Sequence, residues 1–127
     1  MVIYVIKRKP IAALKLFNRH VGQMCISSIT LAELLHGAEK SARKEDNLRQ
    51  VEDFVSRLEV LEYATKAAAH YGDIRADLER QGMTIGVNDL HISGHARSEG
   101  LILVTNNFRE FERVSALRLD NWVNLKG

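Results

Sequence analysis

At 127 residues, with 46% hydrophobic and 27% charged residues, the chain has the size and makeup of one globular domain, and residues 1–127 read as that single unit. A net charge of +2 permits a nucleic-acid partner without demanding one, because no basic block exceeds Lys7-Arg8-Lys9. A single cysteine, Cys25, excludes an internal disulfide and suits a reducing cytoplasm; no apolar run approaches the roughly 20 residues of a membrane span, and the opening is not patterned as a secretory leader.

Taken alone, the opening "MVIYVIKRKP" reads as an edge strand followed by a basic turn. Pro10–Arg19 reads as a helix, since a proline costs nothing in a first turn. Gln23–Ile26 reads as a short buried strand. Thr30–Ser41 is a helix with Leu31, Leu34, Leu35 and Ala38 on one face, and Asp46–Arg57 is a second one with Leu48, Val51, Phe54, Val55 and Leu58 inward. Glu59–Tyr63 alternates with the period of a half-buried strand. Ala67–Gln81 is a helix with Gly82 as its natural stop. Asn88 can cap the next helix, Asp89–Glu99, which Gly100 ends. Leu101–Val104 is apolar throughout, as in a strand covered on both faces. "NNFREFERV" holds a turn and a short helix, and "LRLDNWV" a last strand. Strands alternating with helices predict an α/β layer fold around a mainly parallel sheet. In such folds the chemistry lies beyond the carboxyl ends of the strands.

Three stretches fall there. In "SSITLAELLHG", Thr30 and Glu33 have the spacing of a capping box, so Glu33 either caps its helix or points into a cleft as a metal ligand. In "TIGVNDLHISGHA", Asp89 suits the positive end of a helix dipole as well as a metal. His91 and His95 have the i, i+4 spacing of a helical zinc site, but the motif's glutamate is replaced by Ile92 and no further ligand stands nearby; one ring is expected against the sheet and the other in solvent. In "TNNFREF", Thr105, Asn106 and Asn107 follow the most buried strand. They are either turn formers or oxygen donors to water, phosphate or a cation. No Gly-rich phosphate loop and no acidic pair supports a nucleotide-binding or receiver-like domain. Carboxylates and amides on neighbouring loops suit a hard cation acting on a phosphodiester.

Together, "CISSITLAELLHGAEKS", "IGVNDLHISGHA", "LVTNNFREFERV" and "LRLDNWV" resemble the PIN-domain ribonucleases. Within them the resemblance is to the VapC toxins of toxin–antitoxin pairs, in the branch that cuts initiator tRNA in its anticodon loop. It spans nearly the whole chain. It implies a three-layer PIN-like fold, Mg²⁺ or Mn²⁺ as cofactor, a homodimer, a tRNA substrate, and a VapB-type antitoxin through which alone the chain would reach DNA. Glu33 and Asp89 are implied as metal ligands, and Thr105 and Asn107 as further catalytic residues. Asn107 stands where many PIN domains have an aspartate. His91 and His95 take no role from the family. An RNA substrate agrees with the basic residues Lys7, Arg8, Lys9, Arg43, Lys44, Arg75, Arg80, Arg109 and Arg113, although each alone reads as a solvated surface charge. One departure is large. The family opens with a strand ending in "LDTN", whose aspartate is the central ligand, and Val2–Lys7 matches the helical segment after it. The resemblance thus implies a first strand and first acid missing from this chain. It leaves a second reading, a truncated form that binds antitoxin without cutting RNA.

Overall fold

Val2, Ile3 and Tyr4 do not open a helix. In the computed structural model, which describes residues 2–4, 24–105 and 107–120, they form the central strand of a parallel sheet. The strands are β1 (Val2–Tyr4), β2 (Met24–Ser27), β3 (Glu59–Leu61), β4 (Ile102–Val104) and β5 (Arg118–Asp120), in the spatial order β3-β2-β1-β4-β5. Val2 lies opposite Met24 on one side and Ile102 on the other. This corrects the helical turns expected over Val2–Lys7, as far as Val2–Tyr4, with residues 5–7 outside the described ones, and the expectation of a missing first strand. The physical reason is that β2 and β4 each present a row of backbone groups that must pair. An apolar segment containing β-branched Val2 and Ile3 suits that slot. The expected helix Pro10–Arg19 lies outside the described residues.

The helices are α1 (Ser28–Glu39), α2 (Lys44–Val55), α3 (Thr65–Gln81), α4 (Val87–Ser98) and the single turn α5 (Phe108–Phe111). Alternation along the strands assigns them to two faces. Met24, Ile26 and Val104 point one way and pack with Val60 and with Leu31, Leu34, Phe54 and Val55 of α1 and α2. Cys25 and Leu103 point the other way, onto Ile92, Ala96 and Phe111, with Leu61 and Leu119 beside them. The three-layer architecture follows, with β2 and the end of β4 covered on both faces.

The face of α4 turned from the sheet packs on α3 through Ile74, Leu78, Ile85 and Leu90. The two helices approach closely at Gly94, where an added Cβ would lie 2.9 Å from the Tyr71 nitrogen and 3.0 Å from the Ala67 oxygen. Both glycine stops are as expected. Gly82 and Gly100 have φ of 67° and 65°, and the backbone N–H groups of Met83 and Leu101 close back on Leu78 and Ala96, as in a left-handed helix terminus.

Candidate active site

Strands β2, β3 and β4 end side by side, so the segments that follow them share one edge of the sheet. Ser27 is the last residue of β2 and also the N-cap of α1. Its Oγ accepts from the Ile29 N–H at 3.0 Å and lies 2.7 Å from Nδ1 of His95. His95 is only 2% exposed and also hydrogen-bonds the backbone of Glu62. Burial pushes its pKa below the ordinary 6.5, so the ring is neutral. A neutral ring that donates to the Glu62 carbonyl accepts from the Ser27 hydroxyl at Nδ1. This buried relay ties the start of α1 to α4 and to the end of β3. Ser28 Oγ adds a second tie, accepting from the Tyr63 N–H at 3.2 Å.

Because α1 starts at Ser28, Thr30 is not its cap. Thr30 is fully buried in the first turn, and the capping-box reading of Glu33 fails. The cap is Ser27, three residues before the expected Thr30, and His95 anchors it. Glu33 instead turns toward α4, where its Oε2 accepts from Nδ2 of Asn88 at 3.3 Å. Asn88 was expected as the cap of that helix. The cap is Gly86, without a side-chain bond, and Asn88 lies in the first turn, free to reach α1. Next to it Asp89 is 4% exposed, in the first turn at the positive end of α4.

The structure therefore brings together Glu33, Asn88 and the turn carrying Asp89, from segments 55 residues apart. Thr105 and Asn107 form their own turn beyond β4. Thr105 is 2% exposed; its Oγ1 accepts from the Asn107 N–H at 3.0 Å, and Asn107 Nδ2 donates to Glu110 at 3.3 Å. Glu33 bonds to neither. Asn106 lies outside the described residues.

Among the described residues, no group of three His, Cys, Asp or Glu side chains is placed to hold a metal, and both histidine rings engage protein partners. His95 is the ring packed inside, as expected. His91 is not in solvent: it stacks on Tyr71 at 4.1 Å between centroids and 9° between planes, and its Nδ1 lies 2.8 Å from the Tyr63 hydroxyl. The groups that meet there, the Glu33 carboxylate and the Asn88 amide, offer oxygen donors, with Asp89 next to Asn88 in the same turn. Such donors fit a hard divalent cation, which is commonly held by one or two carboxylates and retains several waters. The sequence contributes no carboxylate before Glu33, so none stands at the end of the central strand β1. Of the basic candidates, Lys44, Arg75 and Arg80 are engaged by Glu39, Glu79 and Asp77.

Residues 1–117 match the PIN domain model. The chain is 62% identical over 123 residues to a ribonuclease VapC2 of Haemophilus influenzae, covering 97% of this chain and 93% of that protein. It is 57% identical over 120 residues to a tRNA(fMet)-specific endonuclease VapC of Shigella flexneri, covering 94% and 91%. Its fold superposes on the crystal structure of DNA-bound VapBC from Salmonella typhimurium with a TM-score of 0.87 at 50% identity, covering 96% of this chain and 99% of that one.

Proposed function

We infer the function of this chain from its family, for it belongs to the PIN-domain proteins and, within them, to the VapC ribonucleases. It is a ribonuclease toxin of a VapBC toxin–antitoxin system. The reading of its site is ours: an endoribonuclease centre for initiator tRNA that works with Mg²⁺ or Mn²⁺. The observation that carries it is the pairing of Glu33 with the Asn88–Asp89 turn across the carboxyl edge of the sheet. The tRNA assignment is supported by the substrate named for the Shigella relative. PIN-domain ribonucleases are generally metal-dependent, and here Glu33 and Asp89 would hold the ion. A bound divalent cation supplies charge stabilisation for the phosphodiester and a more acidic water.

The chain's own residues do the rest. Asn88 donates to one oxygen of Glu33, which fixes the carboxylate and leaves Oε1 to face a ligand. Asp89 is held in the buried first turn of α4, at the positive end of the helix dipole. The Thr105 hydroxyl accepts from the backbone at Asn107, so its own proton is directed away from that turn and can orient a water or a phosphate oxygen. The Asn107 amide adds an uncharged contact. A VapB-type antitoxin is the partner, DNA contact comes through it, and the toxin pairs as a homodimer in the cytoplasm. Among the described residues no helix is long and apolar enough to cross a membrane.

A second reading has its own observation. No acidic residue precedes Glu33 in the sequence, so β1 itself presents no carboxylate to the site, and a form that binds antitoxin while cutting RNA poorly fits that strand. Incubating initiator tRNA with the protein in Mg²⁺, in EDTA, and with Asp89→Asn decides between them. Cleavage in Mg²⁺ alone, lost in the other two, supports the nuclease site. Intact tRNA in all three, with antitoxin still bound, supports the second reading.

A further inference from the structure

We propose that the groove along the exposed face of α1, running from Glu33 to Lys40, is a subsite for the RNA backbone, with His36 and Lys40 taking a phosphate next to the one cleaved. The assignment rests on the nuclease reading above and extends it along the helix. The groove encloses about 260 Å³ and is lined by Ala32, Glu33, His36, Gly37, Lys40 and Asn88. Its residues at 33, 36, 37 and 40 form one helical stripe, about 10 Å long at the rise of an α-helix. One end is the carboxylate of the candidate site and the other is a cation. A polyanion attacked near Glu33 lays its neighbouring phosphate over that stripe.

Gly37 is the second observation. It lies inside α1, where glycine costs about 1 kcal/mol relative to alanine. A Cβ added there meets nothing within 4 Å, so packing does not require the glycine. Its φ is not positive, so backbone geometry does not require it either. A missing side chain at the floor of a groove does let a ligand backbone come close. Lys40 has no ion pair among the described residues, unlike Lys44, Arg49 and Arg57 on the neighbouring helix and loop. Basic groups near a helix C-terminus also suit its dipole, but the dipole explains neither the groove nor Gly37. A basic antitoxin segment is the other candidate occupant; Lys40 repels it at this end.

The test is the affinity of a fluorescein-labelled initiator-tRNA anticodon stem-loop, read by anisotropy in EDTA so that no cleavage intervenes, across a range of KCl. Lys40→Ala is expected to weaken binding about tenfold at low salt and to lower the salt slope by about 1. Gly37→Leu should weaken it comparably while its melting temperature stays equal or rises, which a purely structural role would not do. Arg49→Ala, whose guanidinium is paired with Asp46, should change nothing. Wild-type affinity in both groove variants overturns the subsite while leaving the nuclease reading intact. Loss of antitoxin binding alone overturns it in favour of a protein occupant. Failure of the wild-type chain to bind this RNA overturns both.

Discussion

Asn88 is the residue that the sequence hid. Its position before an apolar helical pattern matches an N-cap so well that cap chemistry accounts for it completely, and nothing in one dimension places it opposite a glutamate 55 residues earlier. Glu33 and Asp89 stand out in the sequence only through family resemblance, because each has a sufficient local explanation in a cap or a dipole. Thr105 and Asn107 form the expected turn, and that turn ends the strand buried on both faces. The geometry makes Asn88 a positioning residue that acts through Glu33. Asn88→Ala is expected to lower kcat for tRNA cleavage by 10- to 100-fold, on the order seen for outer groups that orient ligands, with KM little changed and with partial recovery in Asn88→Gln. Steady-state kinetics on the purified variants check this, and a change confined to KM would refute it.

At the scale of elements, the helices were legible where an apolar stripe and a glycine stop both marked them, as in α3 with Gly82. Boundaries slipped where another side chain nearby could cap, as at Ser27 in place of Thr30. At Val2–Tyr4 the pattern alone reads as a strand, though an edge one, and the family resemblance replaced it with helical turns; the segment is a strand, and its neighbours in the sheet make it central. The junction of α3 and α4 makes a direct prediction. Gly94→Ala drives a methyl group into the Tyr71 and Ala67 backbones, and rigid backbone cannot yield as a side-chain tip would. The variant should lose about 1–3 kcal/mol, seen as a lower urea midpoint, whereas Gly72→Ala on the open face of α3 should not.

The relay from Glu62 through His95 to Ser27 gives the same elements a pH dependence. Burial, the leading cause, holds the folded pKa of His95 below 6.5. Above pH 6.5 both folded and unfolded chains carry a neutral ring. Below it the unfolded chain binds a proton that the folded chain resists, so stability falls as the pH drops toward the folded pKa. The melting temperature should therefore decline between pH 7.5 and 5.5. His95→Gln should flatten that decline, leaving the part due to His91, which burial and Arg75 shift the same way. A decline of unchanged steepness in His95→Gln would rule the relay out as its source.

On the scale of the whole molecule, layer order, parallel pairing and the location of the site at one sheet edge follow from alternation of strands and helices. What pattern alone could not supply is the content of the central slot. Here β1 fills it and stitches β2 to β4, so the sheet is continuous, yet the strand brings no carboxylate. Glu33 and Asp89 serve the nuclease centre proposed above for this PIN domain. Its direct test is the Mg²⁺-dependent rate of initiator-tRNA cleavage by this chain, by Glu33→Gln and by Asp89→Asn, each with an EDTA control. Cutting that requires Mg²⁺ and falls about 100-fold or more in either variant is expected. Cutting that survives EDTA, or that both substitutions leave unchanged, would contradict the assignment.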